Sequence, residues 1–300
     1  MRTSTRTLSR RGPAVIAALA CSAALVWAGD ARSDVALYEV TVPLRGATEA
    51  DRAAGMTDAL RAVAVRASGR REAADSPAIA AAKPANYVQR YSTTADRMLK
   101  VGFDARATEQ LLQQAGLPLW PAERPVTRVS APVGDPAALE AAAAWRGLPI
   151  VWSGAESADD RAGAVLSGAP SGTEFAWSFT YDGRTVQARG TAQDGVNLAA
   201  DTLASRFAPP STRSSVSLTL RIGGMDDLAH YAGLLACLRE LSLVRNVEVE
   251  SLEGSVVAVR VTVRGDRELL ARVAALEGRL QPVPPDAEAA APAVDFIYQP

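Results

Sequence analysis

Short apolar runs of period two alternate along the chain with longer stretches in which apolar residues recur every three or four positions. The first pattern predicts strands and the second predicts helices. Near the start, 37–42 alternates as a strand, and 49–67 carries a helical stripe that ends at Gly69. The next predicted elements are two strands and a helix, at 86–93, 97–103 and 105–115. The order is therefore β-α-β-β-α.

The middle and last parts of the chain repeat this order with variations. Asp182-Gly183 joins two alternating runs and predicts a hairpin, and Glu253-Gly254 does the same further on. Asp194 is predicted to cap one helix, and Asp226 or Asp227 another. The predicted strands are 125–130, 148–153, 164–167, 174–181, 184–190, 216–222, 244–252 and 255–264, and the predicted helices are 136–145, 196–207, 228–241 and 267–276.

These elements predict an α+β fold of two or three small β-α-β-β-α modules, with helices packed on mostly antiparallel sheets. Proline-rich 209–212 is the clearest linker, and 281–293 predicts disorder, followed by a further edge strand at 294–298. The predicted segments are 1–33 (signal peptide), 34–118 (N-terminal module), 119–208 (middle module), 209–280 (C-terminal module) and 281–300 (Pro/Ala-rich tail).

An uncharged apolar run at 14–27 follows four arginines, Arg2, Arg6, Arg10 and Arg11. This pattern is typical of a secretory signal peptide and predicts export to the periplasm of a bacterial cell. The run of about 14 residues is shorter than the roughly 20 that a spanning helix needs, which favours cleavage between 28 and 33 over a permanent anchor.

Removal of the signal changes the charge and the thiol content of the chain. Cleavage after Ala28 takes away four arginines and no acidic residue, so the formal net charge of −1 becomes −5. A mildly acidic chain argues against nucleic acid as a partner. Only Cys237 remains, which permits no intramolecular disulfide. No later apolar run approaches spanning length, so we expect no membrane span after the signal.

Residues suited to catalysis or metal binding are few outside the signal. His230 and Cys237 lie on one predicted helix about 10 Å apart, which is too far for a nucleophile and its base. We expect Cys237 in the core and His230 near solvent. One His and one Cys cannot form the usual zinc sets, and Asp159-Asp160 and Asp226-Asp227 are interpreted as solvated and capping acids. We therefore predict no catalytic, metal-binding or cofactor-binding residues.

The most distinctive local segment is Leu-Pro-Leu-Trp-Pro-Ala-Glu-Arg-Pro at 117–125. Its three prolines stiffen the chain, and Trp120 with Arg124 forms an amphipathic pair of the kind that is enriched in binding hot spots. Two interpretations are open. The segment is either a rigid connector with Trp120 packed against the first module, or a surface that binds a partner through Trp120 and Arg124.

Several short motifs in the first half of the chain resemble those of a known family. They are Leu37-Tyr38-Glu39-Val40, Tyr87-Val88-Gln89-Arg90-Tyr91, Phe103-Asp104, Gly116-Leu117-Pro118-Leu119-Trp120 and Arg124-Pro125. As a set they resemble domain-of-unknown-function family 2066, over nearly all of the chain after the signal. The resemblance implies an exported bacterial protein of unassigned activity, with no catalytic residues to transfer to this chain.

The predicted function is that of a periplasmic, non-enzymatic adaptor or assembly factor for an envelope protein complex. Small modules of this kind present sheet edges or helix faces to another protein, here an unknown envelope protein. Two alternatives are open. One is a carboxylate-dependent hydrolase that uses Asp159 and Asp160 with water, and the other is a carrier of a small apolar ligand between the second and third modules.

Overall fold

The computed structural model describes residues 37–131, 136–153, 163–210, 215–284 and 294–300. Its helices and strands form the α+β fold that the sequence predicts. The strands are β1 (Glu39–Pro43), β2 (Val88–Thr93), β3 (Met98–Phe103), β4 (Thr127–Ser130), β5 (Ile150–Trp152), β6 (Ala164–Ser171), β7 (Glu174–Tyr181), β8 (Arg184–Gly190), β9 (Ser215–Gly223), β10 (Val244–Glu253), β11 (Val256–Arg264), β12 (Leu280–Pro282) and β13 (Phe296–Tyr298). The helices are α1 (Glu49–Ser68), α2 (Pro77–Ala81), α3 (Ala105–Gln114), α4 (Pro136–Arg146), α5 (Ala192–Phe207), α6 (Leu228–Glu240) and α7 (Arg267–Glu277).

The first sheet has the antiparallel strand order β1-β3-β2. Helix α1 begins with a capping box in which Thr48 and Asp51 exchange hydrogen bonds, and it ends at Gly69, whose φ of 70° is left-handed. The buried face of α1 packs on β1 and β3. The sequence pattern of this region did not predict α2 or the 3-10 turns at Arg71–Asp75 and Pro84–Asn86, which lie between α1 and β2.

The second sheet is mixed, with the order β5-β4-β6-β7-β8. Strand β4 runs parallel to β5 and β6, and the remaining pairs are antiparallel. The hairpin predicted at Asp182-Gly183 is confirmed, since both residues have the positive φ that a tight two-residue turn requires. The predicted cap of α5 is wrong. Thr191 is the N-cap, and Asp194 lies at the third helical position and accepts hydrogen bonds from the Thr191 N–H and hydroxyl.

The third sheet has the order β10-β11-β9-β13-β12. Valines 257, 259, 261 and 263 of β11 are buried on one face, as their alternation predicts. Strands β12 and β13 correct two expectations for the end of the chain. Gln281 and Pro282, predicted to be disordered, form part of β12. Strand β13 pairs in parallel with β9 and antiparallel with β12, so it lies inside the sheet rather than at its edge. Residues 285–293, predicted to be disordered, lie outside the described residues.

Buried apolar side chains form two clusters that meet at the segment between α3 and β4. One cluster belongs to the first sheet and its helices and includes Leu119. The other runs through both the second and third sheets without interruption and includes Trp120. Two consecutive residues of the proline-rich segment are therefore anchored in different clusters. Residues Asp34–Pro300 form one compact unit, and the finer module boundaries stay predictions.

Several predictions concern residues that the structure does not describe. The signal peptide at 1–33, the cap at Asp135 and part of the linker at 209–212 lie outside the described residues. Among the helices that are described, none combines the length and the apolar character that crossing a membrane requires.

Candidate functional site

Trp120 and Arg124, the residues predicted to bind a partner, lie buried in a junction between α1, α4 and the proline-rich segment. The exposed fraction is 1% for Trp120 and 9% for Arg124. The guanidinium carbon of Arg124 stacks 3.9 Å from the centre of the Trp120 ring, which is cation–π geometry. The Trp120 backbone N–H donates to the carbonyl of Ala67 at 2.8 Å. The pair therefore forms internal contacts, and direct binding of a partner through it stays a prediction.

The guanidinium of Arg124 donates its hydrogen bonds to backbone carbonyls. Its Nε donates to the carbonyl of Pro121 at 3.1 Å, and its Nη2 donates to that of Arg66 at 2.8 Å. Its Nη1 donates to the carbonyls of Arg146 and Gly147, at 3.3 and 2.6 Å. These acceptors come from the ends of α1 and α4 and from the proline-rich segment, so a single side chain joins all three.

Two helix C-termini supply the negative charge that Arg124 faces. The last carbonyls of a helix have no partner within it, and they carry about half a unit of negative charge in total. The ends of α1 and α4 together therefore offset about one positive charge. Burial, followed by the charge of Arg66, lowers the pKa of Arg124 to about 9. The cation is thus the form that pairs with these carbonyls at neutral pH.

Arg146, at the end of α4, extends the junction to α5. Its Nη1 donates to Asn197 Oδ1 at 2.6 Å, and its Nη2 donates to Asp201 Oδ1 at 2.6 Å and to the carbonyl of Gly69 at 2.9 Å. Asp201 also pairs with Arg71 at 3.0 Å. Burial lowers the pKa of Arg146, and the bond with Asp201 opposes this effect. Arg146 thereby connects the C-terminal ends of α1 and α4 to the middle of α5.

A second polar contact, centred on Glu109 of α3, joins the first sheet to the third. The Tyr38 hydroxyl donates to Glu109 Oε1 at 3.0 Å, and Arg245 Nη2 donates to Glu109 Oε2 at 2.6 Å. Arg264 Nη1 lies 3.4 Å from the same oxygen. Burial and the adjacent carboxylate raise the pKa of Tyr38, which keeps its hydroxyl a donor. Residues far apart in sequence are thus held together at one carboxylate.

We expect Glu109→Gln to lower the free energy of unfolding by about 1–2 kcal/mol, because hydrogen bonds to a charged group are worth more than neutral ones. Urea unfolding of the variant measures this change. Glu268→Gln is the matched control, since Glu268 pairs with Arg272 while its side chain is 82% exposed, and exposed pairs contribute about 0–1 kcal/mol. Equal effects of the two substitutions would contradict the role of Glu109.

Strand β2 is the outer strand of the first sheet, and its free edge can be assigned residue by residue. The Thr94 N–H donates to the Met98 carbonyl at 2.9 Å, next to the β2–β3 pairs. Because bonded and non-bonded pairs alternate in an antiparallel ladder, Arg90 and Ser92 bond to β3. The N–H and C=O groups of Tyr91 and Thr93 therefore point away from β3, toward the open edge.

The side chain of Tyr91 lies on the face of the sheet that packs against α1. Tyr91 pairs with Val101, which is fully buried, yet 55% of the Tyr91 residue surface is exposed. The reason is that α1 covers β1 and β3 and leaves β2 at its margin. On the opposite face, the Glu39 carboxylate pairs with Lys100 at 2.6 Å and with Arg90 at 2.8 Å, so Arg90, the one charged residue of β2, has an acidic partner.

The other candidate residues are placed apart from each other. Cys237 lies in the core with Leu234 and Leu238, and burial raises the pKa of its thiol. The imidazole of His230 is partly exposed, with Nδ1 at 3.8 Å from carboxylate oxygens of Asp226 and Asp227. Asp227 caps α6, accepting the His230 N–H at 2.8 Å.

Two further predictions concern hydrolysis and metal binding. Asp159 and Asp160, which the hydrolase alternative requires, lie outside the described residues. Within the described ranges, no group of three His, Cys, Asp or Glu residues is arranged to hold a metal ion.

Sequence patterns pointed to Trp120 and Arg124 but missed the residues that complete their surroundings. Arginine is common in the last turn of a helix, where it interacts favourably with the helix dipole. The sequence therefore does not distinguish Arg146 from other such arginines. The contacts of Glu109 with Arg245 and Arg264 span more than a hundred positions in the sequence. The open edge of β2 follows from strand order, for which the local pattern carries no signal.

The N-terminal part of the chain matches the model of a protein family. A family model matches residues 31–121, from before β1 to the residue that follows Trp120. That family is Domain of unknown function (DUF8605). The DUF8605 match includes the first sheet with its β2 edge and Glu109, and it ends before Arg124. Neither the curated proteins nor the solved structures give a significant match to the chain.

The resemblance to domain-of-unknown-function family 2066 is therefore wrong, since the family whose model matches is a different one. The motifs behind that resemblance report local structure. Alternation at 37–40 reflects strand β1, and Gly116 follows the end of α3. Such patterns recur wherever a strand or a helix end is needed, so they do not distinguish between families. DUF8605 is also of unknown function, and the match assigns no activity.

Proposed function

We propose that this protein is an exported, non-enzymatic adaptor or assembly factor of the bacterial cell envelope, and that it binds a partner protein through the open edge of β2. The observation that carries this proposal is the combination of outward backbone groups at Tyr91 and Thr93 with an exposed aromatic ring on the same strand. An extended segment of a partner adds to such an edge by main-chain hydrogen bonds, and side-chain pockets give specificity.

The edge of β2 lacks the usual protections against pairing. Natural edge strands carry Lys, Pro or inward-pointing charges that prevent association with other chains. Strand β2 has the sequence Val-Gln-Arg-Tyr-Ser-Thr, in which Arg90 is the one charged residue and is already paired with Glu39. Its one irregularity lies between Val88 and Arg90, before the outward groups. By contrast, β10 has two irregularities and carries Glu248, Glu250 and Glu253.

The side chain that flanks this edge favours a partner strand with an apolar residue. Tyr91 presents an aromatic face beside α1, near Arg52, whose pKa is raised chiefly by its hydrogen bond and ion pair with Glu49 and least by Tyr91. An aliphatic or aromatic side chain opposite Tyr91 would cover its ring, and cross-strand aromatic pairs stabilise sheets. The ion pair of Arg52 with Glu49 forms a polar rim beside this ring.

Thr93→Pro is the variant that tests this function. It removes one N–H from the free edge while leaving the bonds of Arg90 and Ser92 to β3 in place, and proline is tolerated on edge strands of this orientation. We expect about tenfold less partner in affinity captures from the solubilised envelope of the host, quantified by mass spectrometry, because a ladder bond is lost and the ring blocks close approach.

Thr93→Val is the matched control, since it keeps the N–H and the strand preference of the position. Both variants are expected to unfold at denaturant concentrations close to that of the wild type. A partner that is captured equally by Thr93→Pro and the wild type would contradict binding at this edge. Recovery of the processed chain from the cytoplasm rather than the periplasm of the host would contradict the proposed location.

A further inference from the structure

Strand β8 is the outer strand of the second sheet, and its free edge follows from the hairpin that joins it to β7. Tyr181 and Arg184 flank the two-residue turn at Asp182-Gly183, which makes them a hydrogen-bonded pair. Bonded and non-bonded pairs alternate from there, so every second residue from Arg184 to Gly190 bonds to β7. The residues between these point their N–H and C=O groups toward the open edge. They are Thr185, Gln187 and Arg189.

Helix α5 leaves the margin of β8 open to solvent. On the face of the sheet that packs against α5, Phe179 of β7 is fully buried, whereas its partner Val186 of β8 is 37% exposed. The three residues with outward main-chain groups are also exposed. Another strand can therefore pair with β8, and it would cover the apolar side chain of Val186 at the same time.

The two ends of β8 carry opposite charges on the face that packs against α5. Arg184 and Gly190 alternate onto this face, three positions before and three positions after Gln187. The carboxylate of Asp194 lies over Gly190, since a Cβ at Gly190 would be 2.3 Å from Asp194 Oδ2. That oxygen accepts hydrogen bonds from the N–H and hydroxyl of Thr191. Neither Arg184 nor Asp194 forms an ion pair with another residue that the structure describes. One end of the edge is therefore basic and the other is acidic.

The other charged residues beside β8 do not change this pattern. Asp182, in the turn next to Arg184, pairs with Arg206 at 2.9 Å, so the charges of these two residues offset each other. Arg189 and Glu174 alternate onto the opposite face of the sheet. The charges on the α5 face thus remain a base at one end of β8 and an acid at the other.

We propose that β8 of one copy of this chain pairs antiparallel with β8 of a second copy, about a two-fold axis at Gln187, so that the two five-stranded sheets join into one. Thr185 then pairs with Arg189 of the other copy, and Gln187 pairs with its own counterpart. Every outward N–H and C=O group of the edge therefore finds a partner. The same edge serves on both copies, as a two-fold interface requires. The inference concerns an edge separate from β2 and does not rest on the function proposed above.

Charge and size are complementary across the paired strands. Arg184 lies opposite Gly190 of the other copy, where no side chain of the strand stands between its guanidinium and the carboxylate of Asp194. Val186 lies opposite Ala188, so a larger apolar residue meets a smaller one, and cross-strand pairs of this kind stabilise sheets. Because the axis repeats each contact, both ends of the interface join opposite charges.

Other registers and an unrelated strand satisfy these features less well. A shift of the axis by one residue leaves one outward residue of each copy without a strand residue opposite it. An axis at Arg189 sets that residue against its own counterpart, and like charges across an interface oppose association. A strand of another protein could use the same main-chain groups, but the base at Arg184 and the acid at Asp194 would then have no reason to match. Their placement at equal distances along the strand from Gln187 favours a second copy.

Sedimentation equilibrium of the protein as its host produces it tests the inference, over concentrations from about 1 μM to about 1 mM. We expect the wild type to shift from monomer mass to dimer mass within this range. Gln187→Pro removes the outward N–H at the centre of the pair without removing a bond to β7, and proline is tolerated on the free side of an edge strand. It is expected to weaken the dimer at least about tenfold. Gln187→Val keeps this N–H and is expected to dimerise like the wild type.

Charge reversal tests the register of the pair. Arg184→Glu is expected to weaken the dimer at least about tenfold, because it sets two carboxylates against each other at both ends, whereas Arg184→Lys is expected to dimerise like the wild type. Asp194→Lys is also expected to weaken the dimer. An equimolar mixture of Arg184→Glu and Asp194→Lys is expected to recover dimerisation, since every contact at the ends again joins opposite charges.

Thermal unfolding shows whether each variant is folded. Arg184→Glu and Arg184→Lys are expected to unfold like the wild type, because Arg184 is exposed. Asp194→Lys is expected to unfold at a lower temperature, since it loses the hydrogen bonds with Thr191 at the start of α5. The substitutions at Arg184 and Gln187 therefore test the interface even if Asp194→Lys does not fold.

A wild type that stays monomeric up to about 1 mM would overturn the inference. So would a dimer that Gln187→Pro or Arg184→Glu leaves at full strength, since association would then use another surface or register. A folded Asp194→Lys that does not recover dimerisation with Arg184→Glu would overturn the predicted register. Thr93→Pro is expected to dimerise like the wild type, and loss of the dimer in that variant would place association at β2 and overturn the inference.

Discussion

Arg124→Met is expected to lower the free energy of unfolding by about 3–5 kcal/mol, because it leaves several buried carbonyls without a hydrogen-bond donor. The substitution keeps an unbranched apolar stem of similar reach but leaves the carbonyls of Arg66, Arg146 and Gly147 without their donor. An unpaired buried carbonyl alone costs about 1–3 kcal/mol. The substitution also removes the cation that stacks on the Trp120 ring. Denaturant unfolding, compared with the wild type, measures the loss.

Arg239→Met is the matched control for this prediction, because Arg239 is exposed on α6. Its effect should lie within about 0.5 kcal/mol, as for most surface substitutions. Arg124→Lys is expected to fall between the two, since an ammonium group keeps the charge but cannot reproduce the planar fork of donors. If Arg124→Met unfolded within about 1 kcal/mol of the wild type, the junction would not hold α1 and α4 together as described.

Gly147→Ala is expected to destabilise the protein by about 1–3 kcal/mol more than Gly116→Ala. Both glycines follow a helix, and both have left-handed backbone, with φ of 63° and 71°. A Cβ at Gly147 would lie 2.3 Å from Arg124 Nη1 and 2.5 Å from Arg66 Cγ, whereas nothing lies within 4 Å of a Cβ at Gly116. The backbone strain of about 1–2 kcal/mol is common to both.

The difference between these two variants therefore isolates the packing around Arg124 from the strain of a left-handed residue. Thermal or urea unfolding of both variants under the same conditions gives this difference directly. Equal destabilisation by Gly147→Ala and Gly116→Ala would mean that Arg124 and Arg66 can move aside at little cost. The junction would then be loosely packed, contrary to the contacts described here.

The regular elements of this fold were predictable because their local signals agree with their tertiary surroundings. Apolar spacing in 49–67 and a glycine in left-handed conformation at Gly69 define α1 in both the sequence and the structure. The hairpin at Asp182-Gly183 likewise has a turn whose backbone only a few residue types adopt. In such segments, the local sequence alone determines where an element begins and ends.

Other features depend on contacts that no local pattern contains. Strand β13 falls within the edge strand predicted at 294–298, but its place inside the sheet depends on β9 and β12, which pair with it on both sides. The 117–125 segment was recognised from its composition, yet burial of Trp120 and Arg124 depends on the ends of α1 and α4. Asp194 fits an N-cap by residue type, and Thr191 three residues earlier takes that place.

The buried junction around Arg124 and the open edge of β2 are connected through helix α1. Arg124 and Arg146 fix the end of α1, and the opposite, buried side of α1 holds β1 and β3. A sheet held in this way presents β2 in a fixed orientation, so little ordering is needed when a partner strand pairs with it. The proposed binding function therefore depends on the stability of the junction, although Trp120 and Arg124 themselves are buried.

Amide hydrogen exchange along β2, in the free protein and in the captured complex, tests the central claim most directly. In the free protein, we expect the N–H groups of Arg90 and Ser92 to be protected and those of Tyr91 and Thr93 to exchange rapidly. In the complex, Tyr91 and Thr93 are expected to become protected while the other two change little. Protection of Tyr91 and Thr93 that is the same with and without the partner would contradict binding at the β2 edge.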